Sequence, residues 1–337
     1  MRSTSRAASP GANLDMALLW PCHRFFEGAI SACVARGLGR AAEWRIPDRV
    51  LTPIVRAYVA FFGVDMSQVH APPGGYGSFG AFFARTLKPE ARPVCGVPGA
   101  VVSPCDSVVV AKGRIENGAT SVLVIKNTEY VVQDLVADAA VAAGLSGGGF
   151  CLFYLHPRDY HRVHIPADSI LKEARYIPGA RYPMAPWAST FAEGAFGKNE
   201  RIAFDLELPH GGQTCVLLMV AAFGVGGIEC AHAPLQGRGR GQRAAQRAIL
   251  AVPVKRGDEI GAFRLGSTVA LLWPRDAIDL DESVGVGGRV LVGQSIGRVP
   301  SGPFGPGTLR RTSGGGSRAG GAVPPDGEVR CPPERRG

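Results

Sequence analysis

The sequence predicts an α+β fold: a β-rich domain preceded by amphipathic N-terminal helices. Residues 14–63 set apolar side chains at helical spacing among arginines. From about residue 100 the chain breaks into short runs rich in β-branched residues, separated by Gly, Pro and Asp. One helical stretch, residues 131–143, interrupts those runs, so α+β describes the chain better than all-β.

Taken in order, residues 1–13 are rich in Ser, Ala and Arg and predict a disordered arm. Residues 14–75 are expected to form an amphipathic helical region. Leu18, Leu19, Trp20, Phe25, Phe26 and Ile30 lie among Arg24, Arg36, Arg40 and Arg45, and Val50, Leu51, Ile54, Val55 and Tyr58 recur at helical spacing. Eight arginines face four acids over residues 1–60, a balance of +4. That mixture suits a helix in a lipid interface, and equally a soluble helical hairpin packed on the main domain.

Residues 76–300 read as the β-rich domain. In "YGSFGAFFARTLKPEARPV", Ser78 is a helix cap, Phe79, Phe82, Phe83 and Leu87 share a face, and Pro89 is expected to end the helix. Strands are expected in "VVSPCDSVVV", "TSVLVIK", "GGFCLFYL", "TCVLLMVAAFGV", "AILAVPVK", "STVALLW" and "RVLVGQSIG". Residues 237–247, "GRGRGQRAAQR", form a basic glycine-rich loop. Residues 301–337 draw 16 of 37 residues from Gly and Pro and predict a disordered tail.

Composition narrows the function. Lys and Arg outnumber Asp and Glu by 37 to 28 in 337 residues, which favours anionic partners. The basic residues are dispersed and no nucleic-acid motif appears, so nucleic acid ranks last. No stretch approaches the roughly 20 apolar residues of a spanning helix, and the N-terminal apolar run is too short and interrupted for a signal peptide. Eight cysteines without a Cys-x-x-Cys pair suggest neither a zinc site nor a disulfide framework, and point to a reducing compartment.

The densest chemistry is in "YLHPRDYHRVHIPADS", which carries His156, His161 and His164. It has no helical His-x-x-x-His pair, so a general base is expected before a metal, and no metal site is predicted. In an extended segment His164 projects opposite Val163 and Ile165. Asp106 lies at a junction of two valine-rich runs, where a carboxylate can orient an imidazole or simply close a turn. In "FRLGSTVALLW", Gly266 leaves its own carbonyl open to the hydroxyl of Ser267, in a setting unlike the Gly-x-Ser-x-Gly elbow of hydrolases. A tight turn explains that stretch as readily when it is taken alone.

Together, "LGST" (265–268), "DYHRVHIP" (159–166), "SPCD" (103–106) and "FFARTLKPEARP" (82–93) resemble the phosphatidylserine decarboxylase family, with "KNTEY", "NER" and "VGGIE" in the expected order between them. The similarity runs over residues 50–299. The resemblance implies that Asp106, His164 and Ser267 form a self-processing triad that cuts the chain between Gly266 and Ser267. It implies that Ser267 becomes a covalent pyruvoyl cofactor and that His161 assists decarboxylation of phosphatidylserine to phosphatidylethanolamine. Ser107 stands where the family usually has glycine. The implied partners are phosphatidylserine and an anionic membrane surface. The two cleavage chains would form a heterodimer, with a homodimer of that pair left open, held peripherally at the cytoplasmic face of the cell membrane. Two alternatives stand beside it: a soluble pyruvoyl-dependent amino-acid decarboxylase, and a non-enzymatic basic membrane adaptor.

Overall fold

A computed structural model describes residues 37–118, 120–125, 128–182, 194–209, 212–222, 227–233, 235, 244–264 and 266–300. The expected arm at 1–13, the first helical residues at 14–36, most of the basic loop and the tail at 301–337 lie outside these. Residues 37–43 are helical, and helix α1 (Asp48–Phe62) follows. It ends at Gly63, whose φ of 68° is the left-handed conformation glycine adopts without strain and whose N–H closes onto the Val59 carbonyl. Strands β1 (Val69–His70) and β2 (Thr86–Leu87) pair around α2 (Phe79–Phe83), where the Ser78 hydroxyl accepts from the Ala81 N–H as expected of a cap. This helix is shorter than its apolar face predicts, because Leu87 belongs to β2 and Pro89 opens a short 3₁₀ turn.

Next come β3 (Ala100–Val102), β4 (Ser107–Arg114), the hairpin β5 (Val122–Ile125) and β6 (Thr128–Val131), and helices α3 (Val132–Val136) and α4 (Ala139–Gly144). Then follow β7 (Gly149–Leu155), β8 (Arg162–His164), β9 (Ser169–Ile177), α5 (Ala195–Lys198), β10 (Arg201–Glu207), β11 (Thr214–Ala221) and β12 (Ile228–Cys230). The chain continues with β13 (Gln246–Val254), β14 (Glu259–Phe263), β15 (Ser267–Trp273), β16 (Asp279–Leu280), β17 (Arg289–Val290) and β18 (Ser295–Arg298). The main sheet has eight strands in the order β13-β9-β10-β11-β15-β7-β4-β17; three-stranded sheets β12-β14-β8 and β16-β18-β3 lie outside it.

All seven residues of β15 are buried, which explains why Val269–Trp273 is apolar throughout rather than alternating. Val269 and Leu271 join a core with Val163, Ile165, Ile260 and Phe263 from the small sheets. Ala270 and Leu272 face the other way, into a core with Leu135, Val136 and Phe196 from the helices. With both faces covered, the sheet is the middle of three layers.

Strands β9 and β10 were missing from the sequence expectation. Their inner face carries Arg175, whose guanidinium donates in a fork to Asp205 at 2.5 and 2.6 Å and to the Val136 carbonyl at 2.9 Å. A buried charge is tolerated only when paired and hydrogen-bonded, and this one is both. The cysteine expectation also needs correction: Cys95 is disulfide-bonded, while Cys105, Cys151, Cys215 and Cys230 are free.

Candidate active site

Ser267 opens β15, level with Ala221 of β11 on one side and Leu155 of β7 on the other. It is 1 % exposed, and its Oγ has no hydrogen-bond partner. A hydroxyl in the interior ordinarily finds one, so this orphan marks either a cost of folding or a group held ready for chemistry. One residue earlier, the Gly266 carbonyl accepts the Ala222 N–H at 3.2 Å.

The histidine stretch runs from a tight loop into β8. Asp159 anchors the loop, accepting from the His156 N–H at 2.8 Å and from Arg289 at 2.6 Å. Arg85, itself buried, donates to the Arg158 and Asp159 carbonyls at 2.8 Å each, and the Tyr58 hydroxyl of α1 donates to the Pro157 carbonyl at 2.8 Å. As the alternation predicted, Val163 and Ile165 are wholly buried while His164 lies between them, half-buried.

Both histidines have their tautomer fixed in the same way. Nδ1 of His161 lies 2.9 Å from the Asp159 carbonyl, and Nδ1 of His164 lies 2.8 Å from the Gly257 carbonyl. A carbonyl only accepts, so each Nδ1 carries the proton and each Nε2 offers a lone pair. The His164 Nε2 meets the Tyr160 hydroxyl at 3.3 Å, whereas the His161 Nε2 is buried without a partner. Burial pushes the His161 pKa down to about 3, aided by the nearby Arg85 charge, and burial also lowers that of His164. Both are neutral bases at neutral pH.

Asp106 is placed differently from the expectation. The "SPCD" segment does abut β8, through the His164 N–H donating to the Pro104 carbonyl at 2.8 Å. The carboxylate itself is taken by Arg92, with contacts at 2.8, 3.0 and 2.5 Å, and by the Val292 N–H at 2.9 Å. No hydrogen bond joins Asp106 to His164, or either histidine to Ser267, among the described residues. The imidazole of His164 is oriented by Gly257 and Tyr160 instead. Ser107 takes the place of the family's glycine without left-handed backbone, and its hydroxyl donates to the Cys105 carbonyl. Sequence reasoning passed over Arg85, Arg92, Tyr160 and Ala222; the two arginines left a signal within "FFARTLKPEARP" and Tyr160 within "DYHRVHIP", whereas Ala222 left none.

The fold and this centre define a β-rich protein with Ser267 inside its central sheet and His161 and His164 on the approach to, and within, strand β8 of a smaller sheet. The family pattern for phosphatidylserine decarboxylase matches residues 79–298. A protein of Anaeromyxobacter sp. (strain K), named phosphatidylserine decarboxylase proenzyme, is 35% identical over 267 residues, covering 78% of this chain and 93% of its own. Proteins of the same name from Azotobacter vinelandii and Alkalilimnicola ehrlichii are 37% and 35% identical, covering 79% and 80% of this chain and 93% and 92% of theirs. The chain belongs to the phosphatidylserine decarboxylase family.

Proposed function

We propose that this chain converts phosphatidylserine to phosphatidylethanolamine with a pyruvoyl group that it makes from its own Ser267. The observation that carries the reading is the orphaned, buried Ser267 hydroxyl next to a Gly266 carbonyl that already accepts an N–H from Ala222. His164 Nε2 takes the hydroxyl proton, and Oγ attacks the Gly266 carbonyl carbon. The Ala222 N–H faces the oxygen on which charge builds. The proton passes to the leaving nitrogen, which turns the amide into an ester. Loss of the Ser267 α-proton then expels the Gly266 carboxylate, and water releases ammonia, leaving the smaller chain with a pyruvoyl end. That ketone supplies an electron sink for a bound amine. His161 is assigned to handling the proton during decarboxylation.

Attachment to the membrane is assigned to α1 and the residues before it. Val50, Ile54 and Phe61 are exposed, the last by 82%, beside exposed Arg45, Arg49 and Arg56. No helix among the described residues is long and apolar enough to cross a membrane, so the proposed attachment is peripheral, at the cytoplasmic face.

Intact-mass analysis tests the cut. Two chains, 1–266 and 267–337, are expected, the smaller blocked by a carbonyl that borohydride reduces. A single 35.4 kDa species in an active preparation defeats the reading. His164→Ala is expected to stay uncut, whereas His161→Ala is expected to cut itself yet lose about 100-fold or more of its decarboxylation rate. The reverse outcome has its own support. The His161 Nε2 is the unpartnered one, and the His161 carbonyl accepts from Phe263, while His164 is level with the more distant Glu259. An uncut His161→Ala beside a cut His164→Ala exchanges the two roles.

A further inference from the structure

The Ala222 N–H that reaches Gly266 belongs to the same peptide unit as the Ala221 carbonyl. That carbonyl accepts from Nδ2 of Asn199 at 2.8 Å. The three groups are therefore connected in series: side-chain amide, peptide unit, Gly266 carbonyl. Asn199 is wholly buried and tightly held. Its Oδ1 accepts from the Tyr182 N–H at 2.8 Å, and its Nδ2 donates also to the Tyr182 carbonyl at 2.9 Å. Its own carbonyl accepts from Arg201 at 2.8 Å.

The position of this peptide unit is what makes the side chain matter. Ala221 and Ser267 are the last register pair between β11 and β15, and the Ala222–Gly266 hydrogen bond extends that register by one residue on each strand. The Ala221 N–H is taken by the Glu200 carbonyl at 2.8 Å, which leaves the plane of the following unit to be set by whatever holds the Ala221 carbonyl. We propose that Asn199 is a positioning residue for self-cleavage: it fixes the Ala221–Ala222 peptide plane so that the Ala222 N–H points at the Gly266 oxygen when charge develops on it. Hydrogen bonds in series also polarise one another, which strengthens the last donor. The inference rests on the reading of Gly266–Ser267 as the cut. Asparagine suits the position because it both accepts from Tyr182 and donates to two carbonyls. An ionised aspartate there would turn an oxygen toward both carbonyls.

The test follows the uncut fraction with time on denaturing gels for the full wild-type chain, Asn199→Ala and Asn199→Asp. Wild type is expected to cut, and Asn199→Ala to cut about 10- to 100-fold more slowly, less than outright loss of an oxyanion donor. Once cut, Asn199→Ala is expected to match wild type in decarboxylation per borohydride-reducible carbonyl. Asn199→Asp is expected to be slow at pH 7.5 and to recover relative to wild type at pH 5.5, where a protonated carboxyl regains a donor. Wild-type cutting by Asn199→Ala overturns the proposal. So does an Asn199→Asp deficit equal at both pH values, or a loss of turnover per carbonyl that parallels the loss of cutting, which marks a merely structural role. An uncut wild-type chain instead overturns the cleavage reading beneath it.

Discussion

His161 illustrates how backbone carbonyls prepare a side chain for chemistry. The Asp159 carbonyl fixes its proton on Nδ1, the Phe83 ring lies 4.0 Å from its centroid, and burial holds it neutral. The same burial has a cost in acid. An unfolded histidine titrates near 6.5, whereas folded His161 is held down to about 3, so between those values the unfolded chain binds more protons. Stability therefore falls as pH drops from about 6.5 toward 3. Replacing His161 with Gln is expected to flatten the dependence of the denaturation midpoint on pH across that window; parallel curves for the two proteins refute it. Asp106, His161, His164 and Ser267 were singled out in the sequence by the family resemblance of the motifs around them, each alone being explained as readily by a turn or an ordinary histidine. Some of their partners stayed hidden because those contacts close over long separations. Val292 approaches Asp106, Gly257 approaches His164 and Ala222 approaches Gly266, each through a backbone atom that has no residue type to read.

At the scale of elements, α1 buries only Leu51 and reaches the site through Tyr58, which donates to the Pro157 carbonyl, and through Phe62, whose ring lies 6.2 Å from that of His156. Its outward apolar residues thus do little for the core. Removing them tests the membrane proposal without disturbing catalysis. The double variant Ile54→Asp, Phe61→Asp is expected to cut itself normally but bind anionic vesicles about ten-fold or more weakly, since burying each apolar side chain gains about 1.5–3 kcal/mol. Undiminished flotation with vesicles counts against it. The apolar strands were legible because their residues are apolar on both faces. β9 and β10 were not, because "SILKEARYI" and "RIAFDLE" put charges where a strand pattern wants apolar residues. The fold resolves that conflict by pairing Arg175 with Asp205 across the two strands. Arg201, from the same β10, reaches the Leu135 and Asp134 carbonyls at the end of α3, a tertiary role with no local signature.

Across the whole molecule, the proposed cut falls between two strands of different sheets. The smaller piece would keep β15, paired with β11 over six register positions and with β7 over seven. It would also keep β17 on β4 and β18 on β3, so both pieces remain woven into common sheets. The two chains are accordingly expected to co-elute on size-exclusion chromatography in native buffer and to part only in denaturant, and elution as separate species contradicts this. The burial of Ser267 between Ala221 and Leu155 has a consequence for quality control. The geometry that would make the ketone exists only after strands far apart in the chain have come together around β15. A misfolded molecule would never be armed, and one that is armed would carry in its own broken backbone a record of having folded.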